Sequence, residues 1–161
     1  MGDAKLTRSE RDLNGQIHAA LKSAEEAHGH LCPFLALGVR TSLVGLRELE
    51  TNGNNEDLRV ALMLQNPASY PCLLDGIQVT TKCTIANKKL RLINSPQGIA
   101  ARFELPNKET VTVAVKSDSF NSLTDKMSKV MSGNVTSEEF EQLVSLVVSM
   151  PEEKLFTIRK E

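Results

Sequence analysis

The chain predicts an α+β fold, an antiparallel sheet with helices packed on one face, and three observations carry that expectation. Apolar residues recur every three or four positions near both ends of the chain, β-prone stretches punctuated by turn residues fill the middle, and no internal repeat or composition break separates them. A single domain over residues 1–161 is expected, because a chain of this length has room for one proper core.

Taken in order, Leu13, Ile17, Leu21, Ala24 and His28 step by three or four, which reads as an amphipathic helix from Ser9 to His28. Gly29 stands where helices stop in a left-handed turn, and Pro33 opens a second helix. That helix carries Leu35, Val39, Leu43, Leu46 and Leu49 on one side, with Ala36, Gly38 and Gly45 permitting close approach. It ends in Thr51-Asn52-Gly53-Asn54-Asn55, so two antiparallel helices are expected.

Arg59 to Gln65 is short, apolar and followed by Asn66-Pro67, which suits a buried strand. Pro71 to Thr81 places Cys72, Asp75, Gly76 and Val79 on one face if it is helical, and periodicity alone does not settle whether it is. Lys89–Ile93, Ala100–Leu105 and Thr110–Val115 are β-prone and separated by Ser95-Pro96-Gln97-Gly98 and Pro106-Asn107, which predicts an antiparallel meander in a sheet of about four strands. Asp118–Met131 reads as a weakly patterned helix, and Thr136-Ser137-Glu138-Glu139 caps another that runs through Ser149 and ends before Pro151. Leu155 to Ile158 is a last short strand or a tail.

Charge excludes some partners. With 19 Lys plus Arg against 20 Asp plus Glu, no broad positive field is available for nucleic acid or an anionic membrane. Aromatic residues are 4% of the chain with no Trp, which gives no stacking platform for single-stranded nucleic acid or for the sugar face of a glycan. No apolar run approaches the ~18 residues of a membrane span, and Met1 to Arg11 is polar rather than signal-like. A cytoplasmic location is expected. Cys32, Cys72 and Cys83 are an odd number without a secretion signal, which favours free thiols or metal ligands over a disulfide framework.

The chemistry concentrates in His28-Gly29-His30-Leu31-Cys32-Pro33, where two of the three histidines and one of the three cysteines share five positions. Imidazole and thiol both bind soft or borderline metals. Pro33 disfavours helical geometry at Cys32, so this thiol is expected just outside the second helix, near its free N–H groups and positive dipole end, where a thiolate is favoured as ligand or nucleophile. A histidine ending a helix is ordinarily a cap, and a solitary cysteine is ordinarily a small buried hydrophobe. Two imidazoles beside a helix-start thiol are costly to bury without a partner, and the clustering therefore points to function.

A closed structural zinc site takes four ligands, so this pentapeptide needs at least one more from Cys72 or Cys83. Cys72 lies three residues before Asp75, which pairs a ligand with a supporting carboxylate, or a buried thiol with an ordinary hydrogen bond. Cys83, beside Lys82 and Thr84, sits in a polar stretch leading into the meander.

His28-Gly29-His30-Leu31-Cys32-Pro33, Leu37-Gly38-Val39-Arg40, Cys72, Asp75, Ile77-Gln78 and Thr81-Lys82-Cys83-Thr84, in that order, resemble the FmdE family of formylmethanofuran dehydrogenase proteins. The resemblance runs from about the first helix to Phe103. It implies the family's α+β core domain, a metal near these His and Cys residues, and pairing into a homodimer. The chain departs from the family in having Phe34 where Gly commonly follows Cys-Pro, and Lys82 and Ala86-Asn87-Lys88 in place of glycine-bearing turns around Cys83. A C-terminal zinc-binding module of paired cysteines, found in some relatives, is not expected, since no cysteine follows Cys83. Three cysteines are too few for a four-thiolate iron-sulfur cluster plus a metal site, so the chain is not by itself the molybdenum or tungsten catalyst that the family name suggests.

The leading expectation is therefore a transition-metal-binding domain, accessory or stand-alone, with zinc as the ion and nickel or iron as alternatives. Its candidate ligands are His28, His30, Cys32, Cys72 and Cys83, and a molybdenum or tungsten enzyme is a candidate partner. The alternative is a small enzyme acting on a small-molecule substrate through a Cys32 thiolate or a metal-bound water, with His30 or Asp75 moving protons. A third reading is a structural or interaction domain whose cysteines pack inside.

Overall fold

The computed structural model describes residues 8–66, 70–106, 110–133 and 136–161. Pro67 and Asn107, two of the turn residues read from the sequence, and the polar N-terminus before Arg8 lie outside them. The described elements are α1 (Arg8–His28), α2 (Pro33–Glu48), β1 (Arg59–Leu64), α3 (Pro71–Thr81), β2 (Leu90–Asn94), β3 (Ala100–Glu104), β4 (Val111–Val115), α4 (Ser117–Met131), α5 (Ser137–Ser149), α6 (Glu152–Leu155) and β5 (Phe156–Lys160). The fold is α+β. No described helix is long and apolar enough to cross a membrane.

The strands form one five-stranded sheet in the order β2-β1-β3-β4-β5. β3, β4 and β5 run antiparallel in sequence, and β1 pairs antiparallel with β3. β1 pairs with β2 in parallel, Val60 opposite Leu90. The sheet is thus mixed and mostly antiparallel, and the expected meander of three consecutive strands is corrected: β1 inserts between β2 and β3. The physical reason is the connection. A parallel pair needs a crossover of a dozen or more residues, and the segment between β1 and β2 supplies one by folding α3. Phe156–Lys160 is a genuine edge strand rather than a tail.

Helix α2 is the central element. It is buried nearly all round, with Leu35, Leu37 and Val39 fully enclosed. A fully buried leucine contributes roughly 1.5–3 kcal/mol, so this one helix supplies a large share of the core energy. It lies on the sheet face that carries Val60, Leu62, Ala101, Phe103, Val111 and Val113, and Gly45 gives room for the Phe103 ring. Around α2 pack α1, α3 and α5.

The contact between α2 and α3 is unusually close because two glycines face each other. A Cβ on Gly38 would fall 2.4 Å from the Leu73 carbonyl oxygen, and one on Gly76 would fall 2.5 Å from that of Leu35. Nothing larger than hydrogen fits there, so the backbones nearly touch. This places the N-terminus of α3 beside the N-terminus of α2, and hence Cys72 beside Cys32.

Helix ends follow the local sequence. Gly29 adopts φ 102°, a conformation other residues rarely hold, and its N–H bonds to Glu25 O at 2.8 Å to close α1. Thr136 and Glu139 form a reciprocal capping box that starts α5. The other end of α5 is held by a buried charge: Arg40 Nη1 donates to Val147 O at 2.9 Å and also to Met150 O.

Candidate metal centre

Three chain segments converge at one corner of the helical layer. α1 ends at His28, the Gly29 turn presents His30, and Cys32 forms the N-cap of α2 with extended backbone angles of φ −150° and ψ 144°. From the other side, the first turn of α3 brings Cys72 and then Asp75. Proline at the start of both α2 and α3 suits this arrangement, since neither ring needs an N–H donor in the first turn.

One nitrogen or sulfur atom from each of His28, His30 and Cys72 lies within 4.8 Å of the others. His28 Nε2 is 3.1 Å from Cys72 Sγ, and His30 Nε2 is 3.9 Å from it. The two imidazoles sit against each other with ring centroids 4.5 Å apart. The Cys32 thiol, 4% exposed, adjoins Cys72 closely enough to raise its pKa, but stands outside this three-donor group.

Asp75 fixes the tautomer of His28. Its Oδ2 lies 2.6 Å from His28 Nδ1. A carboxylate only accepts, so the proton resides on Nδ1 and leaves the Nε2 lone pair aimed at Cys72. The Asp75 Oδ1 is held in turn by Gln78 Nε2 at 3.1 Å. A carboxylate behind one imidazole nitrogen with the other nitrogen free is the outer support usual for histidines that ligate metals.

Burial pushes the Cys72 thiol up to about 12, and the adjoining Cys32 thiol and the Asp75 charge add to the shift. Without a cation Cys72 is therefore a neutral S–H that donates to His28 Nε2. A metal reverses this balance, because its charge deprotonates a coordinating thiol outright. The donor set of two imidazoles and one or two thiols matches a borderline-soft ion.

The structure separates Cys83 from this group. Eleven residues beyond Cys72, it stands about 16 Å further along by helical rise, past the opposite end of α3. It is 1% exposed, and its Sγ donates to Leu58 O at 3.4 Å. Burial raises its pKa as well. Of the six candidate residues, His28, His30, Cys72 and Asp75 are brought together, Cys32 adjoins Cys72 outside the three-donor group, and Cys83 is set apart.

Sequence reasoning did not find the environment of His30. It borders a cavity of about 390 Å3 that also involves Leu31, Glu25 and, from α5, Phe140, Glu141 and Val144. Those α5 residues lie more than a hundred positions away in the chain, and no local signal links them to His30.

Comparison with known proteins places this geometry in a family. A segment of 94 residues, 56% of the chain, is 37% identical to a protein of Archaeoglobus fulgidus described as a probable S-adenosyl-L-methionine-binding protein. The match spans only 25% of that protein's length. The fold is similar, with a TM-score of 0.57 at 16% identity over 90% of this chain and 71% of the other, to the crystal structure of a tungsten formylmethanofuran dehydrogenase FmdE-like protein from Syntrophus aciditrophicus. Residues 27–157, which begin one position before His28 and include every residue of the cluster, match the family model described as FmdE, molybdenum formylmethanofuran dehydrogenase operon, and the chain belongs to that family.

Proposed function

We propose that this domain binds one transition-metal ion, zinc in the first instance with nickel or iron as alternatives, through His28 Nε2, His30 and Cys72, with Cys32 as the fourth ligand. The observation that carries the reading is the convergence of three donor atoms within 4.8 Å, one of them on an imidazole already oriented by Asp75. A carboxylate behind the ligand gives no benefit to a mere hydrophobic cysteine pocket, whereas it raises the basicity of a metal-bound imidazole. The domain then serves as an accessory to a molybdenum or tungsten enzyme, as family membership suggests, and resides in the cytoplasm, where thiols stay reduced. Two copies pair as a homodimer. The sheet face opposite α2, with its small half-buried row of Met63, Ala100 and Ala114, is the surface suited to that contact.

The test is elemental analysis of the purified chain, alongside Cys72→Ser and Cys83→Ser. Near-stoichiometric metal in the parent protein and in Cys83→Ser, with loss in Cys72→Ser, supports the reading. Metal-free parent protein that gains no stability when zinc is added ends it. Sedimentation of the parent protein tests the dimer.

A second reading, a small enzyme, draws on one observation: His30 faces the 390 Å3 cavity, so a small-molecule substrate there would lie against the cluster. In this reading His30 or Asp75 moves protons. Cys32 as a nucleophile is less favoured than a metal-bound water, because its thiol is almost wholly enclosed. Selective rapid alkylation of Cys32, blocked by a substrate, would restore the nucleophile.

A further inference from the structure

A second cavity, about 490 Å3, opens at the carboxyl ends of the parallel strands β1 and β2 and shares no lining residue with the His30 cavity. Its rim carries four carboxamides: Gln65 and Asn66 follow β1, Gln97 lies between β2 and β3, and Asn121 stands on the first turns of α4. Among the described residues no hydrogen bond engages these four side-chain amides. The floor is apolar, built from buried Ile99 and Val115.

Two aromatic rings, Tyr70 and Phe120, wall the cavity. With Phe34 they form a triangle whose centroids are 5.6–6.0 Å apart. The chain has six aromatic residues in all, five Phe and one Tyr, so half of its rings are gathered here. None of the described residues lining the cavity is charged.

These features together select a ligand. With no charged side chain to compensate it, an ion gains nothing from the site, which disfavours phosphates, carboxylates and ammonium groups. A carboxamide presents a donor and an acceptor side by side, the pattern that pairs with the edge of a heterocyclic base. Aromatic walls stack on the faces of the same ring. The volume falls in the range of small-molecule sites, and the carboxyl ends of parallel strands are where α/β sheets often hold ligands. We infer that this cavity binds the neutral, planar heteroaromatic ring of a purine nucleoside, read by the carboxamides and stacked against Tyr70 and Phe120.

Tyr70 makes the test direct. It is the single tyrosine in a chain without tryptophan, so all tyrosine emission reports on this wall. Adenosine titrated into the full chain, with excitation at the red edge of the tyrosine band where purines are transparent, should quench that emission saturably with a Kd on the order of 0.1 mM. Adenosine monophosphate should bind no tighter than adenosine. Gln97→Ala and Asn121→Ala, both on the exposed rim, should each weaken binding several-fold, and Phe120→Ala about tenfold. The side-chain amide resonances of Gln97 and Asn121 should shift on titration. Metal-free protein should behave the same, which separates this inference from the metal site. Absence of saturable quenching, a monophosphate that binds tenfold tighter than the nucleoside, or an affinity unchanged in both rim variants would overturn it.

Discussion

Asp75 accepts a hydrogen bond from His28 at 2.6 Å across 47 residues of sequence, joining the end of one helix to the first turn of another. The pair is half-buried, with side-chain exposures of 9% for His28 and 38% for Asp75, so solvent competes for the carboxylate but hardly for the imidazole. Its effect is orientation of the ring more than stability.

Asp75→Asn keeps the shape and removes the charge, and an amide can present its N–H2 to Nδ1 and invert the tautomer. Zinc affinity, measured by competition with a chromophoric chelator, is expected to fall about 10–100-fold, while the unfolding midpoint of metal-free protein moves little. An affinity equal to that of the parent protein would remove Asp75 from the supporting role.

Gly38→Ala forces a methyl group against the Leu73 carbonyl, a backbone atom that cannot rotate away. The expected loss is about 1–3 kcal/mol in urea unfolding, at the upper end because α2 and α3 must separate. Since α3 carries Cys72 and Asp75, metal binding should weaken in the same variant. Gly15→Ala, at an open position on α1, is the control and should be neutral or slightly stabilising.

Arg40 is 5% exposed and ties α2 to the last turn of α5 through two main-chain carbonyls. Burial lowers its pKa, and the Glu152 charge opposes that shift, so it remains a cation. Arg40→Met strands both carbonyls and should cost roughly 2–4 kcal/mol by chemical denaturation. Arg40→Lys should recover part of this, because an ammonium can reach one carbonyl but lacks the fork to hold two.

The pair formed by Arg47 and Glu152 gives a pH dependence of definite sign. Arg47 hydrogen-bonds the carboxylate at 2.6 and 2.9 Å and so holds Glu152 below its ordinary value of 4.5, against a smaller opposing effect of burial. The unfolded chain therefore binds this proton more readily than the folded one. The stabilisation is complete above pH 4.5 and disappears as the pH falls through the depressed folded value. Arg47 is 44% exposed, so screening limits the effect to less than about 1 kcal/mol. Glu152→Gln should lower the neutral plateau by up to that amount, leave the stability below the folded value almost unchanged, and so flatten the acid limb of the stability curve.

Features encoded in neighbouring residues were legible in the sequence. The stripe from Leu13 to His28, the Gly29 stop, the Pro33 start and the capping box at Thr136 each state their structure within a few positions, and all are found. The small residues Gly38 and Gly45 were visible as places of close approach, although which backbone approaches Gly38 was not. Partner choice between strands is not a local property. The apolar run Arg59–Leu64 and the β-prone stretch Leu90–Asn94 read the same whether they pair with each other or with something else, and the parallel pairing was missed for that reason. The site divides along the same line. His28, His30 and Cys32 were legible as a group because they adjoin, whereas choosing Cys72 over Cys83 as the nearby thiol required knowing that Pro71–Thr81 is a helix and which end of it meets α2.

Strand β1 lies inside the sheet, yet both of its neighbours follow it in the chain. On the ribosome the run Val60-Ala61-Leu62-Met63-Leu64 emerges before either of the strands that flank it in the fold, and it lacks those partners until synthesis has passed Asn94 on one side and Glu104 on the other. A nascent chain halted in that interval presents a short aliphatic segment with open main-chain groups, the kind of sequence that holdase chaperones grip and that aggregates when they are scarce. The order in which this polypeptide is made, as much as its final energy, thus sets its demand on the cell's folding machinery.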